Sequence, residues 1–514
     1  MGPLAGNCLR ANLFKMAKKD VVYIHSDDFL FTCEHPVKVS GRALMVHRLI
    51  EAYRILGKLR VITPQPACID HISLFHSKEY ISCTKNIQEM LAAGKFSHEE
   101  GLAEFEENFS GLEDHGLAYD CQPFKDMYSY ICFVAGAALK SAEILNNKDA
   151  STVINFYGGW HHAHRDSAAG FCYVNDIVLA ILKLREKYKR VLYIDLDIHH
   201  GDGVEEAFFT TDKVMTVSLH RFDKGYFPGT GSVEDVGYGI GKYYSVNVPL
   251  KEGIDDEQYY YIFTRVMHKV KEVFDPDVVV CQCGADCLSG DPLGGFNLTN
   301  KGLTQSVKYI ANWNLPLLIL GGGGYNFANT ARTWAYLTAS ILDEEICRDI
   351  PEHEMYAEYS PLFDINITPS VRRSCNSEEY IDGIIESVSD NLSNIPKRNP
   401  LKMIQHERNE VSSEREAKAK TSGLKVLLTT GAAKRQWRGK RQFIDENKLY
   451  IVEQCSGKSD KDCNNSKMPA GQISSIVSNA HGLVGQMSES TDVITVKRQK
   501  YTLVDSLFEF DEYT

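Results

Sequence analysis

Val191-Leu-Tyr-Ile-Asp-Leu-Asp-Ile-His-His-Gly-Asp-Gly203 is the stretch on which the fold turns. It begins as a short apolar, β-rich run and ends in Asp, His and Gly, so it reads as a buried strand over 190–195 that runs into a polar loop. The same pattern recurs three times. A run at 152–157 leads into Gly158-Gly-Trp-His161-His162, one at 278–283 into Gly284-Ala285-Asp286, and one at 315–320 into Gly321-Gly-Gly-Gly-Tyr325-Asn326. Further strands are expected at 21–25, 59–63, 214–219 and 244–248, with helix-period segments at 42–56, 128–145, 175–188, 257–274, 301–313 and 326–342. Such alternation predicts an α/β fold. One large domain spans 20–395, with a mostly parallel central sheet flanked by helices; several strands are apolar on both faces, as burial from both sides requires. Ligands of such sheets bind outside the carboxyl ends of the strands. Four ends carrying Asp, His and Tyr therefore converge on one crevice, which is the expected active site.

Composition bounds the remainder. The chain has 514 residues, 43% of them hydrophobic, which is ample for a large core. Its 56 Lys+Arg against 68 Asp+Glu give a net charge of -12, so the whole protein lacks the basic field of a nucleic-acid binder. The 14 cysteines are scattered without the spacing of a secreted scaffold and read as free thiols in a reducing compartment. Cys281 and Cys283 share one strand face and are expected in the core; no second Cys/His pair stands at the spacing a zinc knuckle needs. Lys15, Lys18 and Lys19 break up the N-terminal stretch, so no secretory signal is expected. No apolar run approaches the roughly 20 residues of a membrane span, and Met1-Gly2-Pro3 lacks the Ser/Thr of a myristoylation site. The expectation is a soluble, intracellular protein. Residues 1–19 read as a disordered arm and 396–514 as a mostly disordered tail, with one short hairpin or helix near 424–428 or 449–452. Residues 92–114 read as a polar, acidic surface loop. The basic run Lys434-Arg435-Gln-Trp-Arg438-Gly-Lys440-Arg441 is a candidate nuclear-import or nucleic-acid element, set against a plain solvated segment. No internal repeat is visible.

The crevice residues define a chemistry. Asp197 and His199 are two apart, so in extended chain they point to one side, and Asp286 adds a carboxylate from another strand end. Two carboxylates and one imidazole leave coordination positions open, which suits a catalytic Zn²⁺, or Fe²⁺ or Co²⁺, better than a closed structural zinc. His161 and His162 need partners, and Asp195 and Asp202 stand in the neighbouring loop. An Asp on the far ring nitrogen fixes the tautomer and raises basicity. The four glycines 321–324 lack the Lys-Ser/Thr of a phosphate loop; they read as close backbone approach to a metal-bound substrate, with Tyr325 at the end.

With these residues in place, the chain from about 23 to 395 resembles the class I histone deacetylases, and in detail the histone deacetylase 8 branch. The resemblance rests on Gly158-Gly-Trp-His-His-Ala163, Ser167-Ala-Ala-Gly-Phe-Cys-Tyr-Val-Asn-Asp176, Tyr193-Ile-Asp-Leu-Asp-Ile-His-His-Gly-Asp-Gly-Val204, Phe227-Pro-Gly-Thr-Gly231, Gly284-Ala-Asp286 and Leu320-Gly-Gly-Gly-Gly-Tyr-Asn326. It implies an arginase/deacetylase-like fold and zinc-dependent hydrolysis of acetyl-lysine, releasing acetate and free lysine. Asp197, His199 and Asp286 would hold Zn²⁺. His162 would be general base and acid, assisted by His161, with Asp202 and Asp195 as their respective partners, and Tyr325 would donate to the oxyanion. Phe171 and Phe227, with Gly170, would wall a narrow tunnel for the acyl-lysine. Asp120 would grip the substrate backbone at the rim, and Arg42 would line an internal channel for acetate. Potassium, as a structural ion, would lie at Asp195, Asp197, His199, Ser218 and Leu219, and a second near Phe208, Thr211, Val214 and Tyr244. The implied partners are acetylated histone tails, other acetylated proteins and co-repressor subunits, with no need of nucleic acid or membrane, in the nucleus and also the cytoplasm.

The departures are specific. Leu293 stands where that branch has Met and matches the other class I enzymes, which bears on acyl-chain preference; the 92–114 loop is longer; and the tail after 396 has no counterpart. Two rival readings are an acetylpolyamine amidohydrolase and an acetyl-lysine-binding scaffold, the latter requiring a lost catalytic group where none is lost.

Overall fold

The computed structural model describes residues 20–93 and 112–396, together with 437–438 and 441–442. Eight strands are β1 Val21–Ile24, β2 Arg60–Ile62, β3 Thr152–Asn155, β4 Val191–Asp195, β5 Val214–Arg221, β6 Ser245–Leu250, β7 Val278–Gln282 and β8 Leu317–Leu320. They form one sheet in the order β2-β1-β3-β8-β7-β4-β5-β6, and every pairing is parallel. The helices are α1 Asp27–Thr32, α2 Arg42–Ala52, α3 Ile69–Ile72, α4 Lys78–Ala92, α5 Met127–Asn147, α6 Asp176–Leu184, α7 Asp202–Phe208, α8 Asp256–Phe274, α9 Asn300–Ala311, α10 Phe327–Ile341 and α11 Glu378–Ser393.

Period-two alternation builds two cores, one on each face. Leu192 and Ile194 of β4, Val279 and Cys281 of β7, and Leu317 and Ile319 of β8 enter the core covered by α8 to α11. Their neighbours Val191, Tyr193, Val278, Val280, Leu318 and Leu320 enter the opposite core with α5 and α6. A fully buried Val, Leu or Ile contributes about 1.5–3 kcal/mol, so apolar residues at both phases of these strands fix the sheet between two helical layers. The edge strand β2, mostly exposed, shows what happens where that cover ends.

The path of the chain makes the crevice. From β4 it steps outward through β5 to β6, then returns, and β7 and β8 fill the space between β4 and β3. The four strands whose ends carry the polar motifs, β3, β8, β7 and β4, are thus consecutive neighbours.

All eight anticipated strands are present. The helix expected over 42–56 stops at Ala52: Arg54 adopts a positive φ of 59° and a 3-10 turn follows at Leu56–Lys58. The segment expected over 175–188 ends as a helix at Leu184. Five helices were not anticipated, α1, α3, α4, α7 and α11. Cys281 and Cys283 are fully buried, as their shared face predicts. The arm 1–19, most of the 92–114 loop and nearly all of the tail lie outside the described residues, including the segments 424–428 and 449–452. Trp437–Arg438 and Arg441–Gln442 pair antiparallel within a separate unit, Val426–Thr514. Among the described residues, no helix is long and apolar enough to cross a membrane.

Candidate active site

Asp197, His199 and Asp286 each present a ligand-type atom, all within 4.8 Å of one another, and this is the one such group among the described residues. Asp197 and Asp286 are buried, and no Lys or Arg is found among their hydrogen-bond and ion-pair partners in the described residues. His199 Nδ1 lies 2.9 Å from Asp286 Oδ2 and 3.2 Å from Asp197 Oδ1. Burial opposes a charge on His199, yet its bonds to the two carboxylates hold its pKa up at about 10. Burial also lifts Asp286 above the usual carboxylate range, with the charge of Asp197 adding to it. Two buried like charges sharing one imidazole are what a dication would neutralise, so this donor set fits a divalent metal.

The backbone enforces that geometry. Ile198 N donates to Asp286 Oδ1 at 3.0 Å, tying the β4 loop to the β7 loop. Gln282 Nε2 and Gly323 N each donate to Asp197 Oδ2 at 2.8 Å. Gly323 has no alternative: a Cβ there would lie 2.1 Å from Asp286 Oδ2. Its neighbours Gly322 and Gly324 sit at φ of 140° and 135°, open to glycine alone. The sequence expectation of close backbone approach thus corresponds to real contacts, made to the carboxylates themselves.

Beside this group stand two His–Asp pairs. His161 Nδ1 is 2.8 Å from Asp195 Oδ2, and His162 Nδ1 is 2.7 Å from Asp202 Oδ1. Asp195 also accepts from the Tyr193 hydroxyl at 2.6 Å and from Asp197 N at 3.1 Å. Burial works against protonating His161, but Asp195 and Asp197 outweigh it and raise its pKa to about 9. Burial and then the neighbouring His161 push His162 the other way, to about 3. The two imidazoles, 3.9 Å apart between ring centroids, are therefore driven into opposite states, one charged and one neutral. The Tyr325 hydroxyl is held protonated by burial and by Asp286 and Asp197.

The aromatic and rim residues fall around these groups. Phe227 meets the His162 ring edge-on at 4.9 Å, and Phe171 meets Tyr325 at 5.7 Å. Gly170, at φ 54°, leaves room for His162, whose Cδ2 would lie 2.4 Å from an added Cβ. Asp120 is exposed and accepts from Gly170 N at 2.7 Å. Leu293 is 42% exposed, and its carbonyl accepts from the Tyr226 hydroxyl. Arg42 is buried over Trp160 and Trp334 and donates to the Gly324 carbonyl at 3.1 Å. It lines a pocket with Tyr23, Tyr130, Tyr157, Trp160 and Trp334. Of the residues named for potassium, Asp195 and Ser218 are ladder partners across β4 and β5. In the second set, Thr211 N donates to Phe208 O, just before Val214 opens β5, and Tyr244 O accepts from Thr216 N.

Several supporting residues escaped the sequence reading. Asp176 accepts from Gly159 N and Trp160 N, which aims the turn carrying His161 and His162. Gln282 and Tyr193 could have been found, being polar groups in otherwise apolar buried strands. Asp291 left no signal, because its role is set by tertiary contact. It accepts from Tyr325 N at 2.7 Å and Asn326 N at 3.1 Å, holding the end of the glycine loop. Asp291→Ala is expected to lower turnover about tenfold, the smaller end of what loss of an orienting partner costs, with metal content unchanged. Steady-state kinetics beside metal analysis checks this.

Residues 34–341 match the histone deacetylase domain family. The chain is 45% identical to zebrafish (Danio rerio) histone deacetylase 8 over 381 residues, 74% of this chain and 97% of that protein. Against Xenopus tropicalis histone deacetylase 8 the identity is 47% over 375 residues, 73% and 98% of the two chains. Against bovine (Bos taurus) histone deacetylase 1 it is 42% over 382 residues, 74% and 76%. The chain belongs to the histone deacetylase family, whose members are metal-dependent hydrolases. Within it, the chain is a class I member near histone deacetylase 8.

Proposed function

We propose that this chain hydrolyses the amide of acetyl-lysine in histone tails and other acetylated proteins, using Zn²⁺ held by Asp197, His199 and Asp286. The observation that carries this reading is the buried Asp–His–Asp group beside two His–Asp pairs at the ends of four adjacent strands. Zn²⁺ there, or Fe²⁺ or Co²⁺ in its place, supplies Lewis acidity toward the acetyl carbonyl and water. His162 is the proton carrier. With Nδ1 turned to Asp202, its Nε2 is the position that takes a proton from water and returns it to the lysine amine. His161, tied to Asp195, packs its ring beside that neighbour, 3.9 Å between centroids, and orients it. Tyr325, kept protonated, donates to the developing oxyanion. Phe171, Phe227 and Gly170 exclude water and align the lysine stem, and Leu293 bears on the acyl chain accepted. The exposed Asp120 at the rim favours a peptide over an acetylpolyamine. Potassium serves as a structural ion at the β4–β5 ends, the nucleus is the principal location with the cytoplasm a second, and co-repressor subunits are partners.

The test is turnover of an acetyl-lysine peptide with and without a chelator, followed by added Zn²⁺ or Fe²⁺. Loss on chelation and recovery with metal is the expected result. Full turnover in protein shown to be metal-free would overturn the metal role. Turnover of acetylpolyamine with none of peptide would replace the substrate.

A further inference from the structure

The Asp202 carboxylate that faces His162 has a second imidazole on its other side. Asp202 and Glu206 are four apart on α7, so they stack one turn above each other on one helix face. His164, two residues beyond His162, spans both: its Nδ1 is 2.6 Å from Glu206 Oε2 and its Nε2 is 3.8 Å from Asp202 Oδ2. Asp202 Oδ1 is occupied by His162 Nδ1 at 2.7 Å and Gly203 N at 2.9 Å, which leaves Oδ2 turned to His164. The result is a chain His162–Asp202–His164–Glu206 that runs from the buried crevice to half-exposed groups.

We propose that His164 is a positioning residue for His162: set between Glu206 and Asp202, it holds the Asp202 carboxylate oriented toward His162 Nδ1. This rests on the reading of His162 as the proton carrier. Burial disfavours the charge on His164, but the Glu206 bond and the Asp202 charge raise its pKa to about 9. Burial works against a charge on Asp202, but His162, then His164 and the nearby His200, hold it below the usual carboxylate range. The other groups around His164 are Arg165 and Asp166 in its own loop and His76, just before α4, whose Nδ1 meets the Arg165 carbonyl. Burial keeps His76 down at about 4, so it stays neutral and leaves Glu206 and Asp202 to set the charge of His164. The sign follows: His164 is charged through neutral pH, and its attraction for Asp202 is lost as pH rises past about 9, so the carboxylate is held less firmly toward His162 and activity falls on that alkaline side.

The test is the pH profile of kcat/KM for the metal-loaded full-length protein on an acetyl-lysine peptide. His164→Ala is expected to lower kcat about tenfold at neutral pH without changing KM, the smaller cost of losing an outer partner. His164→Lys, a cation with a higher pKa, is expected to restore most of that loss and move the alkaline limb upward. Glu206→Gln is expected to move the limb downward. A profile and kcat unchanged in His164→Ala, or no rescue by Lys in protein that keeps its metal, would overturn the proposal. His162→Ala run in parallel separates the two claims: retained activity there removes the His162 reading, whereas an inactive His162→Ala beside an unaffected His164→Ala removes only this one.

Discussion

Asp286→Ala is expected to leave the protein without its metal and without deacetylase activity. The side chain supplies one of two carboxylates around His199, and its other oxygen takes Ile198 N, the contact that ties the loop after β4 to the loop after β7. Alanine removes the charge and that tie together. Losing an outer partner alone costs about 10–100-fold in metal affinity, so loss of a ligand should exceed that range. Metal content after gel filtration is the direct readout. Asp286→Asn is the informative companion, because it keeps an acceptor for Ile198 N while removing the charge; it should fold normally and still bind metal poorly. An Asp286→Ala protein with a full complement of metal would refute the ligand set, whatever its activity.

Tyr325→Phe carries the second-largest expectation. Removing one donor aimed at a developing oxyanion costs about 2.7–4 kcal/mol, or about two to three orders of magnitude in turnover. The loss should fall on kcat with KM and metal content unchanged, because the phenyl ring preserves the contact with Phe171. Asp291→Ala gives the graded counterpart: the hydroxyl remains but its loop is no longer held. Unchanged turnover in Tyr325→Phe would remove the tyrosine from the reaction.

The fold was legible because the central strands are short and apolar at both phases, and because glycine and polar residues mark where they stop. β8, four residues ending at a run of four glycines, is the clearest case. The metal-type group was legible for a similar reason, since Asp197 and His199 follow a strand that announces itself. What stayed hidden was held by contact rather than by pattern. α4 is amphipathic but mixed, with Tyr80, Ile81, Thr84 and Ile87 as its buried face, and α7 lay inside a motif that reads as loop chemistry. That second omission concealed His164, because its position opposite Asp202 and Glu206 exists only once α7 is helical. Asp176 and Asp291 act on backbone amides far along the chain, and no spacing rule points to such pairs.

The return of the chain to fill the middle of the sheet has a consequence for biosynthesis. β8 is the last strand of the eight-stranded sheet to be made, yet it lies between β3 and β7 and delivers the glycines that pack on both metal-type carboxylates. A ribosome-bound chain that has emerged past Asp286 but not yet through β8 holds the Asp, His and Asp residues in its sequence while β3 and β7 still lack the strand that joins them. Completion of the site thus waits on the strand that enters the sheet last, and a chain stopped before it lacks the glycine contacts to both carboxylates.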